Sequence, residues 1–310
     1  MNLRQLEVFA TVAELGSFSK AALVLNTAQP ALSRQIRSLE VGLKTVLLVR
    51  TGRGVMPTEA GKRLLQHCRH IMESVENARH DLNERAKERS GHIIIGLPPS
   101  IAKRLTLPLV RYFQTALPHA SLEVMEGFST YMTEWLVTGR VDLCLLYNPH
   151  AHPNIASTPV RKERLFLVGP SQQMPDGDVP FKTLGQYPLL MPQSNQIFRK
   201  LLEAQALLSG ISLNVAWAVS SIPVILDMLR AGYGHAVLTD SAFLEAVADG
   251  QLTARAIVQP KIHCTLSLAQ RNNQMETSLM AHTREVLHRL LLEQTAEIEA
   301  KTQPIAPQGH

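Results

Sequence analysis

Residues 17–37 restrict the fold of this chain more than any other segment, because their pattern is that of two short helices joined by a tight turn. Small and apolar side chains recur at helical spacing on the side that would face inward. These inward positions are Ala21, Ala22 and Leu25 on the first helix, and Leu32 and Ile36 on the second. The pattern predicts a helix-turn-helix whose recognition helix covers about residues 28–39.

The outward face of the second predicted helix is polar and basic. Thr27 is predicted to cap this helix, and Pro30 to lie in its first turn, where the missing N–H costs little. Gln and Arg make bidentate contacts to base edges, Ser is adaptable, and Arg also suits phosphate. The predicted DNA-contacting residues are Thr27, Gln29, Pro30, Ser33, Arg34 and Arg37. The alternative is an ordinary pair of surface helices.

The sequence on both sides of the pair fits the same domain. A preceding helix carries an apolar stripe that would cover the pair, formed by Leu3, Leu6, Phe9, Val12 and Ala13. After the pair, two short apolar runs in residues 46–56 surround the turn Thr51–Gly54. Arg53 lies at the tip of this turn and joins the predicted DNA-contacting residues. These features predict a winged helix-turn-helix domain over residues 1–58.

Several motifs in residues 1–61 resemble those of LysR-type transcriptional regulators. They are Leu6–Phe9, Gly16–Ala22, Gln29–Ser33, Leu39–Glu40, Leu47–Arg50 and Pro57–Gly61. A weaker similarity is to the subgroup around the nitrogen-assimilation regulator. The resemblance implies a ligand-responsive protein that binds a double-stranded DNA operator, with no catalytic residues, no metal and no cofactor. RNA polymerase is a further candidate partner.

Charge and composition agree with a DNA-binding part and a neutral remainder. Residues 1–91 hold 14 Lys and Arg against 9 Asp and Glu, whereas residues 92–310 hold 17 of each kind. The excess of positive charge therefore lies where phosphate would be contacted. No apolar run reaches a membrane span, and no signal peptide is visible, so we expect a cytoplasmic protein. The three cysteines are predicted to be inert thiols, with a redox switch as the alternative.

A long helix is predicted over residues 58–89, with Thr58 as its cap. Apolar residues recur on it at heptad spacing: Leu64, Cys68, Ile71, Val75, Ala78 and Leu82. Such a seam predicts a dimer through residues 59–90, and the alternative is packing against the chain's own domains. His67 and His70 are more typical of a solvated helix face than of a metal site. Lys87–Gly91 is predicted to be a hinge.

Beyond residue 91, strands and helices alternate, which predicts an α/β domain with a mostly parallel sheet. One helix is expected over Thr106–Leu117 and the last over Met275–Ala300. The resemblance implies an effector domain over residues 91–300, with two lobes like those of type 2 periplasmic binding proteins. Lobe I would hold about 91–162 and 265–300, and lobe II about 163–264. The two strands that cross between the lobes are expected near residues 159–166 and 259–266. Residues 301–310 are predicted to be a disordered tail. The family also implies pairing of dimers into tetramers.

Polar residues follow several predicted strands or precede helices, where ligands gather in α/β folds. The candidate effector-binding residues are Ser100, Ser129, Thr130, Ser194, Asn195 and Ser221, and the resemblance favours Ser100, Thr130 and Ser221. Helix capping alone is the alternative for each. These groups suit a small polar or anionic effector, with Lys103 as a candidate charge. Phe128, Tyr147 and Phe198 are candidates for an apolar wall.

Other classes of protein fit the sequence less well. The chain lacks a Gly-x-Ser-x-Gly elbow, a phosphate-binding Gly-rich loop and a His-Glu-x-x-His helix, so we expect no enzyme. His150 and His152 are two residues apart in a loop, which is a weak metal signal. A solute-binding protein would account for the two-lobed part alone, and an architectural DNA-binding protein would not need a ligand cleft. A regulator accounts for both parts.

Overall fold

The computed structural model describes residues 1–52, 54–82, 90–194, 196–272 and 276–302. They divide into two compact units, Met1–Gly91 with Thr138–Arg140, and the rest of the chain from His92 onward. The elements of the first unit are α1 Leu3–Leu15, α2 Phe18–Val24, α3 Gln29–Leu43, β1 Leu48–Thr51, β2 Gly54–Pro57 and α4 Glu59–Leu82. The helix-turn-helix with a two-stranded wing is thus present.

The first unit is held together by the inward faces of its helices. Phe9, Val12 and Ala21 are fully buried, and Leu32 and Ile36 meet them from α3. Burial of each large side chain contributes about 1.5–3 kcal/mol. The predicted inward face of the helix pair is therefore the core of this unit.

The start of α3 differs from the prediction. Its cap position is Ala28, and no side chain accepts a hydrogen bond there. Thr27 does not cap the helix, because its hydroxyl donates to the Leu25 carbonyl at 2.9 Å and accepts from the Arg4 guanidinium at 3.0 Å. The helix also continues past residue 39 to Leu43. Thr27 thus connects α3 to α1 across 23 residues of sequence.

The wing is attached to α3 by a carboxylate. The Glu40 side chain accepts hydrogen bonds from the backbone N–H groups of Leu47 at 2.8 Å and Leu48 at 3.1 Å. The strands β1 and β2 then pair antiparallel, from Leu48 opposite Pro57 to Thr51 opposite Gly54. Arg53, at the predicted tip of the wing, lies outside the described residues.

The helix α4 begins as predicted, since the Thr58 hydroxyl accepts from the Gly61 N–H at 3.0 Å. The first part of its heptad seam packs within the same unit: Cys68 is fully buried, and Leu64 and Ile71 pack against the same core. For that part of the helix, the apolar residues therefore pack against the chain's own domain, which was the alternative to a dimer seam. Residues 83–89, and hence most of the predicted hinge, lie outside the described residues, as do the side chains of Ala78 and Leu82.

The second unit is built from strands that share one long member. Its strands are β3 Gly91–Leu97, β4 Ala120–Glu126, β5 Leu143–Tyr147, β6 Ile155–Pro170, β7 Val179–Pro180, β8 Leu189–Met191, β9 Val215–Ala218, β10 His235–Thr239, β11 Leu252–Val258 and β12 His263–Arg271. Its helices are α5 Pro99–Ala116, α6 Ser129–Val137, α7 Ile197–Leu208, α8 Ile222–Arg230, α9 Asp240–Phe243 and α10 Ser278–Thr302.

The strand order is β4-β3-β5-β12-β6-β10-β8-β9, and β6 also pairs with β11. The first part of β6, residues 155–164, pairs with β12, and residues 165–170 pair with β10 and β11. The strand therefore passes from one lobe to the other, and the chain returns between β11 and β12. The sheet is mixed rather than mostly parallel, because both crossing strands run antiparallel to their neighbours.

Two helices of this unit have bounds that differ from those predicted from the sequence. The helix α5 begins at Pro99 and not at Thr106, because Pro98 and Pro99 form its cap and first residue, where proline is favoured. Pro108 lies inside it and removes one backbone donor. The Gln294 side chain donates instead to the Arg104 carbonyl at 3.1 Å. The helix α10 runs to Thr302, two residues into the predicted tail, and 303–310 lie outside the described residues.

Gly61 offers a test of the contact between α4 and the wing. A Cβ atom there would overlap the Leu47 carbonyl and lie 3.2 Å from the Pro57 Cβ, whereas a Cβ on exposed Gly42 of α3 meets nothing within 4 Å. We expect Gly61→Ala to destabilise the first unit by about 1–3 kcal/mol, as overpacking does. Gly42→Ala is expected to stabilise it by about 0.5–1 kcal/mol through helix propensity. Denaturation followed by circular dichroism measures both, and effects of the same sign would contradict the close approach.

Candidate functional site

The outer face of α3 is free to contact another molecule. Gln29, Pro30, Arg34 and Arg37 are exposed there, and Ser33 is half-buried. No acidic side chain in the described ranges pairs with Arg34 or Arg37. Unpaired guanidinium groups beside polar side chains suit phosphates and base edges. The structure thus brings five of the seven predicted DNA-contacting residues onto one helix face.

Two neighbouring side chains shape this surface. The Ser19 hydroxyl donates to the Gln29 side-chain carbonyl at 3.2 Å, which leaves the amide N–H₂ of Gln29 available. Arg50, exposed on β1, lies over the Phe18 ring at 5.8 Å and adds a cation that is not among the predicted DNA-contacting residues. Thr27 is half-buried at the start of the helix, engaged with Arg4.

A cleft lies between the two lobes of the second unit. The space open to the centres of water molecules is about 70 Å³, several times what one water needs. Its walls are mainly apolar and include Phe128, Tyr147 and Phe198, as expected. The polar lining residues are Ser100, Ser129, Gln196, Ser220 and Thr239. Both lobes contribute to the lining.

The predicted effector-binding residues reach this cleft unequally. Ser100 and Ser129 line it, and the Ser129 hydroxyl also accepts from the Tyr147 N–H at 2.9 Å. Thr130 lines an adjoining recess with Lys200 and His150, among others.

Ser194 and Ser221 lie outside the lining of the cleft: Ser194 is exposed, and Ser221 precedes α8, where its neighbour Ser220 faces the cleft instead. Asn195 is outside the described residues. Gln196 and Ser220 were missed, although both stand next to predicted residues at helix starts.

The floor of the cleft continues into a buried polar network. The Tyr147 hydroxyl lies 3.3 Å from the Ser100 hydroxyl and donates to the Glu163 carboxyl at 2.9 Å. The Ser241 hydroxyl donates to the other oxygen of Glu163 at 2.7 Å. Glu163 is fully buried on β6, where this strand passes between the lobes. A side chain of the cleft is thereby connected to the crossing strand.

The same network holds one guanidinium between two carboxyls. Arg161 lies 2.9 Å from Asp240 and 3.5 Å from Glu163. Burial raises the pKa of Glu163, and Arg161 opposes this shift. Burial likewise raises the pKa of Asp240, again against Arg161. Desolvation raises the pKa of Tyr147 well above its ordinary value, so this hydroxyl stays neutral.

The cysteines and histidines have no sign of reactive or metal chemistry within the described ranges. Cys68, Cys144 and Cys264 are free thiols and buried. Burial raises the pKa of Cys68 to about 11 and that of the other two further. No group of three or more His, Cys, Asp or Glu side chains could hold a metal ion there. None of the described helices is long and apolar enough to cross a membrane.

Comparison with known families identifies both units. Residues 3–62 match the family model of bacterial regulatory helix-turn-helix proteins of the lysR family, and residues 86–291 match the LysR substrate binding domain. The chain belongs to the LysR family of transcriptional regulators. The resemblance noted from the sequence is confirmed, and the family consists of regulators rather than enzymes.

Relatives of this LysR-type regulator include the nitrogen assimilation regulatory protein nac of Klebsiella aerogenes. It is 33% identical over 86% of this chain and 88% of its own length. The protein of the same name from Escherichia coli is 32% identical over the same shares. A full-length OxyR variant from Pseudomonas aeruginosa has a TM-score of 0.72 at 21% identity, covering 94% of each chain. This last similarity shows the fold alone.

The buried carboxyl of Glu163 gives this regulator a pH dependence that can be measured. Because its pKa is raised in the folded state, its contribution to stability is complete below the ordinary value of 4.5 and is lost as pH rises through the folded pKa. Glu163→Gln cannot ionise. We therefore expect the stability of this variant relative to the unchanged protein to improve as the pH rises above 4.5.

Tryptophan fluorescence reports this comparison, because Trp135 and Trp217 both belong to the second unit. Glu126→Gln is the control, since it makes the same change at an exposed position of β4. If Glu163→Gln and the unchanged protein give parallel stability profiles across this pH range, the carboxyl does not titrate in the way described.

Proposed function

We propose that this LysR-type regulator reads a double-stranded DNA operator with α3, and that a small molecule in the cleft of the second unit changes this binding. The observation that carries the proposal is the outer face of α3, where exposed Arg34 and Arg37 have no acidic partner among the described residues. The opposite face of the same helix is buried in the core. A helix so divided presents its polar side to the major groove.

The individual roles follow from position on the helix. Gln29, Ser33 and Arg34 are proposed to meet base edges. Thr27, Pro30 and Arg37 are proposed to lie nearer the phosphates, with Arg53 on the wing. The position of Thr27 at the start of α3, held by Arg4, supports a place near the backbone of the DNA.

We further propose that the protein acts as a dimer through the linker helix. The first turns of α4 pack within their own unit as far as Met72, so the available part begins near Val75, which is half-buried. Operators with two symmetric half-sites need such a pair. We assign residues 1–58 to DNA binding, 59–90 to the linker and 91–300 to effector binding, and dimers are proposed to pair into tetramers.

The cleft is proposed as the sensing site because its lining comes from both lobes and includes Ser100 and Ser129. Thr130, Ser194, Asn195 and Ser221 are proposed to contribute from its edges. A ligand changes DNA binding only if its affinity differs between two arrangements of the lobes. Such a regulator works in the cytoplasm beside its operator, and RNA polymerase is a further proposed partner.

Arg34 and Arg37 on α3 are proposed to have different roles: Arg34 contacts base edges, and Arg37 contacts phosphates. We expect Arg34→Ala to cost about 1–3 kcal/mol on an operator duplex and much less on random duplexes, because a bidentate base contact is lost. Arg37→Ala is the matched variant and should weaken both kinds of duplex equally, with a lower salt dependence. Fluorescence anisotropy titrations at several salt concentrations measure these affinities. Unchanged operator binding by Arg34→Ala would move the reading surface away from this face.

A further inference from the structure

The side chain of Gln196 lines the cleft without a hydrogen-bond partner among the described residues. Gln196 is only 3% exposed and lines the cleft next to the start of α7. Its side-chain amide makes no hydrogen bond to any part of the chain that the structure describes. Because the amide opens onto the cleft, water reaches it there, and a ligand that displaces this water has to replace its hydrogen bonds. The amide is therefore poised to pair with a ligand.

The lining of the cleft contains no charged side chain among the described residues. Tyr147 is neutral, and the carboxyl behind it belongs to Glu163, which would repel an anion when ionised. Lys103, a candidate for binding an anion, instead pairs with Glu245 at 2.8 Å, and both side chains are exposed. Burying a charged group without a countercharge costs far more than burying a neutral one.

The helix starts around the cleft suit an oxygen atom. The helices α5, α6, α7 and α8 begin at the cleft, and two of them have a proline in the first turn, Pro99 of α5 and Pro223 of α8. These prolines reduce the number of free N–H donors, although the partial positive charge of a helix start remains. A carbonyl oxygen matches such a site without needing a countercharge.

The walls of the cleft favour a flat apolar body. Phe198 packs edge-to-face against Tyr147, with ring centroids 4.9 Å apart. Phe128, Pro98 and Pro99 supply further apolar surface. Clefts of this kind take up most of a ligand through apolar contact and fix its orientation through a few polar groups.

We propose that the effector is an uncharged molecule with a flat apolar body and an amide-like group, and that Gln196 selects it. The Gln196 amide both donates and accepts, so it pairs with a group that presents one acceptor and one donor side by side. This inference rests on the proposed function, and it narrows the polar or anionic class expected from the sequence. Gln196 is then the residue that determines effector specificity.

Benzamide and benzoate test the proposal, because they share one shape and differ in charge and in donor groups. Calorimetry with the full-length protein at neutral pH should show benzamide binding at least about tenfold more tightly than benzoate. Gln196→Leu should weaken benzamide binding by about tenfold, and Gln196→Met repeats the test with an unbranched chain. Gln193→Leu is the control, because Gln193 is exposed and outside the lining of the cleft.

Three results would overturn the proposal: benzoate binding as tightly as benzamide, no binding of benzamide, or equal benzamide affinity in Gln196→Leu and the unchanged protein. Benzoate binding that is lost in Lys200→Gln would show that the adjoining recess binds an anionic head group. Measuring DNA binding with the same preparations distinguishes a wrong class of effector from a wrong proposed function. If DNA is still bound, only the class of effector is wrong, whereas failure of the unchanged protein to bind DNA counts against the proposed function.

Discussion

The second unit depends on one strand that belongs to both of its lobes. The strand β6 is 16 residues long, and its backbone is paired with β12 at one end and with β10 and β11 at the other. Because both ends are held by ladders of hydrogen bonds, the lobes share a fixed connection below the cleft. The position of the cleft follows from this connection, since its walls are the helix starts and strand ends on both sides of the crossing.

The crossing strand also carries the charges that link the lobes. Arg161 and Glu163 are buried on it, and Asp240 and Ser241 meet them from the start of α9 in the other lobe. Removing one partner of such a group leaves a buried charge or an unpaired donor, at a cost of about 3–5 kcal/mol for a charge. Tyr147 connects this buried network to the cleft. A ligand that contacts Tyr147 therefore lies next to the strand that joins the two lobes.

The sequence was informative where the signal was local. The helix pair was predictable because apolar residues at helical spacing determine which face of α3 is buried, and hence that Arg34 and Arg37 point outward. The cap at Thr27 was not, because the hydroxyl is engaged by Arg4, which is distant in sequence. The seam on α4 was visible as a pattern, but the pattern alone did not show that Cys68 packs on its own unit.

The cleft was predictable only in outline. Strand ends and helix starts indicated the right neighbourhoods, and Ser100 and Ser129 lie on the lining. The choice between Ser220 and Ser221, and the inward position of Gln196, depend on how segments from both lobes pack. Periodicity within one segment contains no information about that packing. The same holds for the Glu163 network, whose members come from four separate segments of the chain.

We propose that the two α3 helices of a dimer read one specific DNA sequence together. Selection of duplexes from a random pool by the full-length protein tests this proposal. We expect enrichment of one sequence with two symmetric half-sites, separated by about one helical turn of DNA or a multiple of it. Retention of DNA without any enriched sequence, or enrichment of a single half-site alone, would contradict it.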